Sequence, residues 1–515
     1  MSGWEQSAIT IATFLPLVGA MVIALVPRDK EKVVRGLGIV FTGAALVVAI
    51  VIAAGFDYGA GAGLQDELNV KWIPAITSRY HVGIDGISLP LFVLTFVLSF
   101  LCAIYTWRFV PKPGKTKAFL GLMLVLETGM AGTFIAFDLI LFFVVWELVL
   151  VPMYFLIGIW GSANREYAAI KFFLYTLFGS VFMLLGFLGM FFRSDLGGGV
   201  HTFDIVQLQQ FAASGGFSQG FQLVAFAAVG LGFAVKVPMW PFHTWLPDAH
   251  TEAPTIGSVL LAGIMLKMGT YGFIRIALPI LPYGAQKYAP WIGLLAAIAI
   301  VYAALACLAQ KDLKRLIAFS SVGHMGFVML AIATLTTIGI QAAIFGMVAH
   351  GLITGMLFFC VGSIYDRYHT REIAEIGGGM MQKLPYLGGV FAFVAIASLG
   401  LPGLAGFWGE VMALLSSFSP NQAAGLNTGL FRGFMVAGGI GTILTAGYFL
   451  WMLQRVNMGT LPEKWKEQTF PDIVAVEWVS WAPLLVGIVL LGVFPRIVFG
   501  VSDAAVNGIM QIFGA

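Results

Sequence analysis

The sequence predicts an all-α polytopic membrane protein with about fourteen transmembrane helices and two inverted five-helix repeats, each containing a broken helix. Three observations carry that prediction. The 515 residues are 59% hydrophobic and only 10% charged, with a mean hydropathy of +0.92, whereas soluble domains average about 25% charged residues. Apolar runs of roughly 20 residues, the length that crosses about 30 Å of hydrocarbon, recur from one end of the chain to the other. A short pattern also returns at a fixed offset, which is the mark of an internal repeat.

The runs place spans at 6–26, 34–54, 88–109, 118–137, 139–160, 170–192, 221–245, 255–280, 290–309, 313–334, 338–362, 386–418, 431–454 and 478–500. The first stretch has neither a basic n-region nor a small-residue cleavage site, so it is expected to be a retained span. Loops on one side carry about 19 Lys and Arg against about 7 on the other, which makes the first side cytoplasmic and puts both termini outside. The longest connections, 55–87 and 193–220, are too short for a nucleotide-binding domain, so residues 1–515 form a single membrane domain. "LGGGV" (196–200) and "IGGGM" (376–380) lack the strand and the Lys-Ser/Thr pair of a phosphate loop and are expected to be plain loops. The net charge of +3 comes without a basic tract, which gives no sign of a nucleic-acid partner.

"AAI" at 168–170 recurs at 342–344, and "GFAVKV" at 232–237 recurs as "GFWGEV" at 406–411, both 174 residues later. A shared offset suggests two homologous units, 118–280 and 290–454. Five spans is an odd number, so successive units would enter the membrane from opposite sides.

Seven titratable side chains fall inside separate predicted spans: Glu127, Glu147, Lys236, Lys267, His324, His350 and Glu410. A charge at the bilayer centre costs at least about 2.5–3.5 kcal/mol and marks a functional site by default. Together the seven suggest a polar path lying in the plane of the membrane. Lys236 is followed by Pro238 and Pro241, and Glu410 is preceded by Pro402, so both spans should be broken, freeing backbone carbonyls and admitting water. Glu147 is the expected counter-charge for Lys236. Gly263 and Gly269 beside Lys267 permit close helix approach. The competing readings are structural ion pairs for the charges and core histidines for His324 and His350. Glu127 ranks last, as a packing or capping group. "HTWLPDAHTEAP" (243–254) offers His, Asp and Glu, but its prolines spoil the spacing of a zinc helix, so it is expected to be a structural loop with no metal.

At "WELVLVPMYFLIGIWG" (146–161), "VKVPMWPFHTWLPDAHTEAP" (235–254) and "LPGLAGFWGE" (401–410), the sequence resembles the antiporter-like membrane subunits of respiratory complex I. The likeness runs over essentially the whole chain, and the second motif is specific to a superfamily that also holds multisubunit sodium/proton antiporters and membrane-bound hydrogenases. The resemblance implies a fourteen-helix fold with two inverted units. It also implies proton-translocating roles for Glu147, Lys236, Lys267 and Glu410, and connecting roles for His324 and His350. Subunits of types L and N carry lysine at the terminal position, so Glu410 points to the M, or chain 4, type. Also implied is membership of an NADH:quinone oxidoreductase translocase in the bacterial cytoplasmic membrane, whose NADH, FMN, Fe–S and quinone sites lie in partner subunits. No cofactor is expected here, since Cys102, Cys307 and Cys360 are isolated and cannot ligate a cluster. Two alternatives stand beside this reading: a subunit of a sodium/proton antiporter or hydrogenase, and a structural scaffold with relic charges.

Overall fold

The computed structural model describes residues 3–59 and 61–514, with side chains from Ser7 onward. Thirteen helices among the described residues are long and apolar enough to cross a membrane. The remaining predicted span, 386–418, is two shorter helices, Pro385–Ser398 and Gly406–Phe418, separated by residues 399–405. The span around Lys236 is broken in the same manner. Gln219–Lys236 stops at the lysine, and the chain turns through Pro238 and Pro241 before resuming as Trp245–Glu252. Proline cannot donate the intrahelical bond, so carbonyls of the preceding turn need other partners. Trp245 Nε1 donates to Val235 O at 2.9 Å and Met239 N to Ala234 O at 2.8 Å, closing part of that gap.

The two breaks do not coincide at the offset of 174. The first follows Lys236, while the second precedes Glu410.

Burial sorts the helices into an inner and an outer set. Thr255–Ile280 is buried throughout, and Leu313–Ala333 and Thr337–Tyr368 nearly so, while Glu31–Gly55 and Thr428–Val456 are largely exposed, as lipid-facing helices must be. Lys267, His324 and His350 therefore sit on the most enclosed helices. Two glycine crossings set their spacing. A side chain on Gly351 would bring its Cβ within 2.9 Å of Gly263 O, and one on Gly409 within 2.8 Å of Gly346 Cα. Small residues let the backbones touch, and the residues next to these contacts are His350 and Glu410.

Several boundaries differ from expectation. The helix predicted at 338–362 runs on to Tyr368, because the polar residues that suggested its end are inside the protein: Arg367 pairs with Glu477 at 2.8–2.9 Å, and both are buried. The helix predicted from 290 begins at Pro282, a residue suited to a first helical turn. The last predicted span, 478–500, is Ala475–Val493, followed by a separate helix, Arg496–Met510. The loop 55–87 also contains a feature the all-helical reading lacked. Strands β1 (Gln65–Ile73) and β2 (Ser78–Ile84) pair antiparallel. His81 of β2 fastens this hairpin down, its Nδ1 lying 2.7 Å from Asp204 and its Nε2 2.9 Å from Glu67.

Candidate functional site: a buried relay of lysine, histidine and glutamate

Residues 261–265 and 273–277 widen into π-helical turns on either side of Lys267, where an i→i+5 pattern replaces the α-helical one. Lys267 is fully buried. Its Nζ donates to Ala262 O of the first π turn and lies 2.6 Å from His350 Nδ1. The His350 and His324 rings are 5.7 Å apart between centroids. His324 Nδ1 is 2.9 Å from Glu410 Oε1, and its Nε2 is 3.0 Å from Ser398 Oγ. Four of the seven residues thus form one continuous line, Lys267–His350–His324–Glu410. A cavity of about 30 Å³ lies among His324, His350, Ser398 and Glu410, the volume of roughly one water. His350 Nε2 and Glu410 Oε2 have no protein partner and remain available to such a water. A Cβ on Gly400, which holds φ +76°, would lie 3.3 Å from Glu410 Oε2. That left-handed conformation favours glycine.

Lys236 and Glu147 form a looser arrangement. Both lie on the Lys236 side of the protein, and their charges influence each other. Among the described ion pairs none within 4.0 Å joins them, so Glu147 acts on Lys236 as a counter-charge at longer range than a salt bridge. An aromatic face stands beside the ammonium: Lys236 Nζ is 5.1 Å from the Trp146 ring centroid, a cation–π distance. Trp146 is held in turn by donating to Ser180 Oγ at 3.0 Å. Glu127 is fully buried, with neither carboxylate oxygen bonded to protein, and is hydrogen-bonded to no member of the line.

The stretch 243–254 departs from its expected role as a loop. Residues 245–252 are the returning half of the broken helix. His250 on it is fully buried, stacks on Phe358 at 4.6 Å, has no protein partner on either ring nitrogen, and feels the charges of Lys267 and Lys314. The polarity of that motif between apolar runs was a usable signal, but prolines at 241 and 247 read as loop chemistry. Lys314, also unremarked in the sequence, is buried and donates to Ala253 O. Near it, Asp366 accepts from Tyr105 at 3.4 Å and borders two cavities of about 180 and 110 Å³ at the more positive face. Both residues were hidden at predicted span ends, where charges are ordinary.

The family described as "NADH:quinone oxidoreductase/Mrp antiporter, TM" matches residues 136–436, which contain the whole relay. The chain belongs to that family. Among full-length relatives, NADH-quinone oxidoreductase subunit M of Rhodobacter capsulatus is 40% identical, covering 99% of this chain and 98% of its own. NADH-ubiquinone oxidoreductase chain 4 of Chondrus crispus is 39% identical, covering 94% of each chain. Of solved structures, a chain of respiratory complex I from Thermus thermophilus with bound NADH matches with a TM-score of 0.85 and 27% identity, covering 98% of this chain and all of the other. A chain of the Mrp complex from a Dietzia species has the same fold, with a TM-score of 0.82 at 19% identity over the full length of both. The fold described here is therefore shared with these chains.

Proposed function

We propose that this chain is a proton-translocating membrane subunit of an NADH:quinone oxidoreductase, sitting in a bacterial cytoplasmic membrane beside related antiporter-like subunits. The observation that carries the reading is the line Lys267–His350–His324–Glu410, hydrogen-bonded at both ends and bridged by two histidine rings 5.7 Å apart. Each neighbour in it can pass a proton to the next. A proton from the Lys267 ammonium goes to His350 Nδ1, His350 Nε2 releases one through the small cavity to the Ser398 hydroxyl, which gives its own proton to His324 Nε2, and His324 Nδ1–H delivers to Glu410 Oε1. Glu410 Oε2, unbonded to protein, then gives the proton to water on the outer side. Lys236 is the other protonatable end, with Glu147 tuning it from a distance across Trp146. The face with more Lys and Arg is cytoplasmic, both termini are outside, and protons are taken up near Asp366 and Lys314. Residues 118–280 and 290–454 are the two inverted units.

Redox chemistry belongs to partner subunits holding NADH, FMN, Fe–S clusters and quinone. This chain offers three separate buried cysteines, fewer than the four thiolates of an ordinary cluster. The purified chain in liposomes should oxidise no NADH and reduce no quinone. The test of the main reading is NADH-driven pumping by vesicles, normalised to assembled complex. Loss of pumping in Glu410→Ala supports the relay, and full pumping would show that protons leave elsewhere. A requirement for sodium would move the chain to the antiporter reading.

A further inference from the structure

The helices Ser7–Leu25, Glu31–Gly55 and Thr116–Ile135 pack against one another, the first two largely exposed and the third mostly buried. They do not close against one another at the more positive face. A groove of about 770 Å³ remains between them. Its mouth carries Arg28, Lys115 and Lys117. One carboxylate, Glu31, also stands there, but it is paired with Arg35 at 3.1 Å. Lys117 is aimed by donating to Val26 O at 2.7 Å, which leaves two of its three N–H groups for another acceptor. The helix beginning at Thr116 has no capping side chain, so its first N–H groups add to the positive field.

Below the mouth the chemistry changes. Ala20, Ala24, Ala118 and Gly121 form recessed walls, with Leu122 and Val125 deeper in the groove. A Cβ on Gly121 would meet nothing within 4 Å, so the slot is open where a methylene chain could lie.

We propose that this groove is a binding site for an anionic phospholipid, its phosphate held by Arg28, Lys115 and Lys117 and an acyl chain laid along the small-residue walls. A cationic rim over an apolar slot between membrane helices matches both ends of such a lipid. A soluble phosphate would leave the slot unfilled. The site is independent of proton movement, so its failure and the failure of the pumping reading are separate results.

The experiment uses the complex purified in mild detergent and measures phospholipid retained per complex by mass spectrometry, before and after exchange into phosphatidylglycerol or phosphatidylcholine. Wild type should retain phosphatidylglycerol in preference. Arg28→Gln with Lys115→Gln, both exposed positions, should lower its affinity about tenfold, equivalent to losing about 1.4 kcal/mol. Gly121→Leu, which leaves every charge in place, should displace the lipid by filling the slot. Excess inorganic phosphate should not compete. Equal retention in all variants, equal competition by inorganic phosphate, or cross-linking of Gly121→Cys to a neighbouring subunit in place of lipid would overturn the proposal.

Discussion

Lys236 and Glu410 occupy equivalent frames 174 residues apart, yet they sit at opposite ends of their half-helices. Lys236 is the last residue of Gln219–Lys236, where the aligned peptide dipoles make the helix end negative. Glu410 is the fifth residue of Gly406–Phe418, close to the end where free N–H groups make it positive. The sign of each charge matches the end of the helix it occupies, an interaction worth up to about 2 kcal/mol in partly buried settings. Their partners differ as well. Glu410 touches His324 directly, whereas Lys236 faces a tryptophan and meets its acid only at longer range. Under the proposed function, the Glu410 region would transfer protons by contact and the Lys236 region would act through its field.

Breaking either region at its charge should have the largest effect. Glu410→Ala and Lys236→Ala should each lower NADH-driven pumping at least about tenfold, corresponding to a barrier rise of about 1.4 kcal/mol or more, with assembly intact. Glu410→Asp should keep part of the rate. Glu410→Lys should keep less, since it places a cation at the positive end of a half-helix. Pumping unchanged by Glu410→Lys would show that the helix field does not set the sign.

Field control and contact transfer part company at Glu147. If its charge acts at a distance, Glu147→Gln should slow turnover several-fold and Glu147→Asp should be milder. Equal rates for Gln and Glu would make the position a packing site. Trp146→Phe is a finer probe, because it keeps an aromatic face toward Lys236 but removes the bond to Ser180. A loss of about 0.5–1 kcal/mol, or about two- to fivefold in rate, is expected from a weakened cation–π contact.

The smallest effect on turnover should come from the hairpin, which touches neither charge. Burial works against a charged His81, but the hydrogen bond and charge of Asp204, with those of Glu67, outweigh it and raise the His81 pKa above its ordinary value. Burial likewise opposes the Asp204 carboxylate, and the hydrogen bond from His81 turns the balance, lowering its pKa. The raised histidine contributes stability that is complete below its unfolded value of about 6.5 and is lost as pH rises through the folded value. The lowered aspartate contributes above its unfolded value of about 3.9, and that share is lost as pH falls through the folded value. The clasp is thus firmest between about pH 4 and 6.5. Tryptic cleavage at Lys71 and Arg79 should speed up at alkaline pH, and His81→Gln should remove the dependence while pumping changes little.

Much of this was legible in the sequence because membranes impose simple rules. Apolar runs gave the spans, and the prolines at 238, 241 and 402 gave both breaks. Lys267, His324, His350 and Glu410 stood out because charge inside a span is costly. His250 was set aside with its motif, whose prolines read as a loop, and only the fold shows it returning into the protein as part of a helix. Lys314, Asp366 and Arg367 lie where spans were expected to end, and sequence does not distinguish a solvated end from one enclosed by a neighbouring helix. Glu147 was legible as a counter-charge for Lys236, but spacing along the chain says nothing about the aromatic ring that stands beside the lysine.

The helix Thr337–Tyr368 is 32 residues long and carries His350 near its middle. Arg367 near its last turn is locked to Glu477, and Gln341 near its first donates to Asp503 at 2.7 Å. Both ends are therefore strapped to the final stretch of the chain, which contributes no member of the relay. That stretch works as a splint. A rod fixed at two points cannot slide at its centre without straining one of its fastenings, so the 2.6 Å approach between His350 and Lys267 is held partly by residues far from either. A motion passed along the membrane from a neighbouring subunit would have to bend this rod or release a strap, and either would change the alignment of the histidine with the lysine.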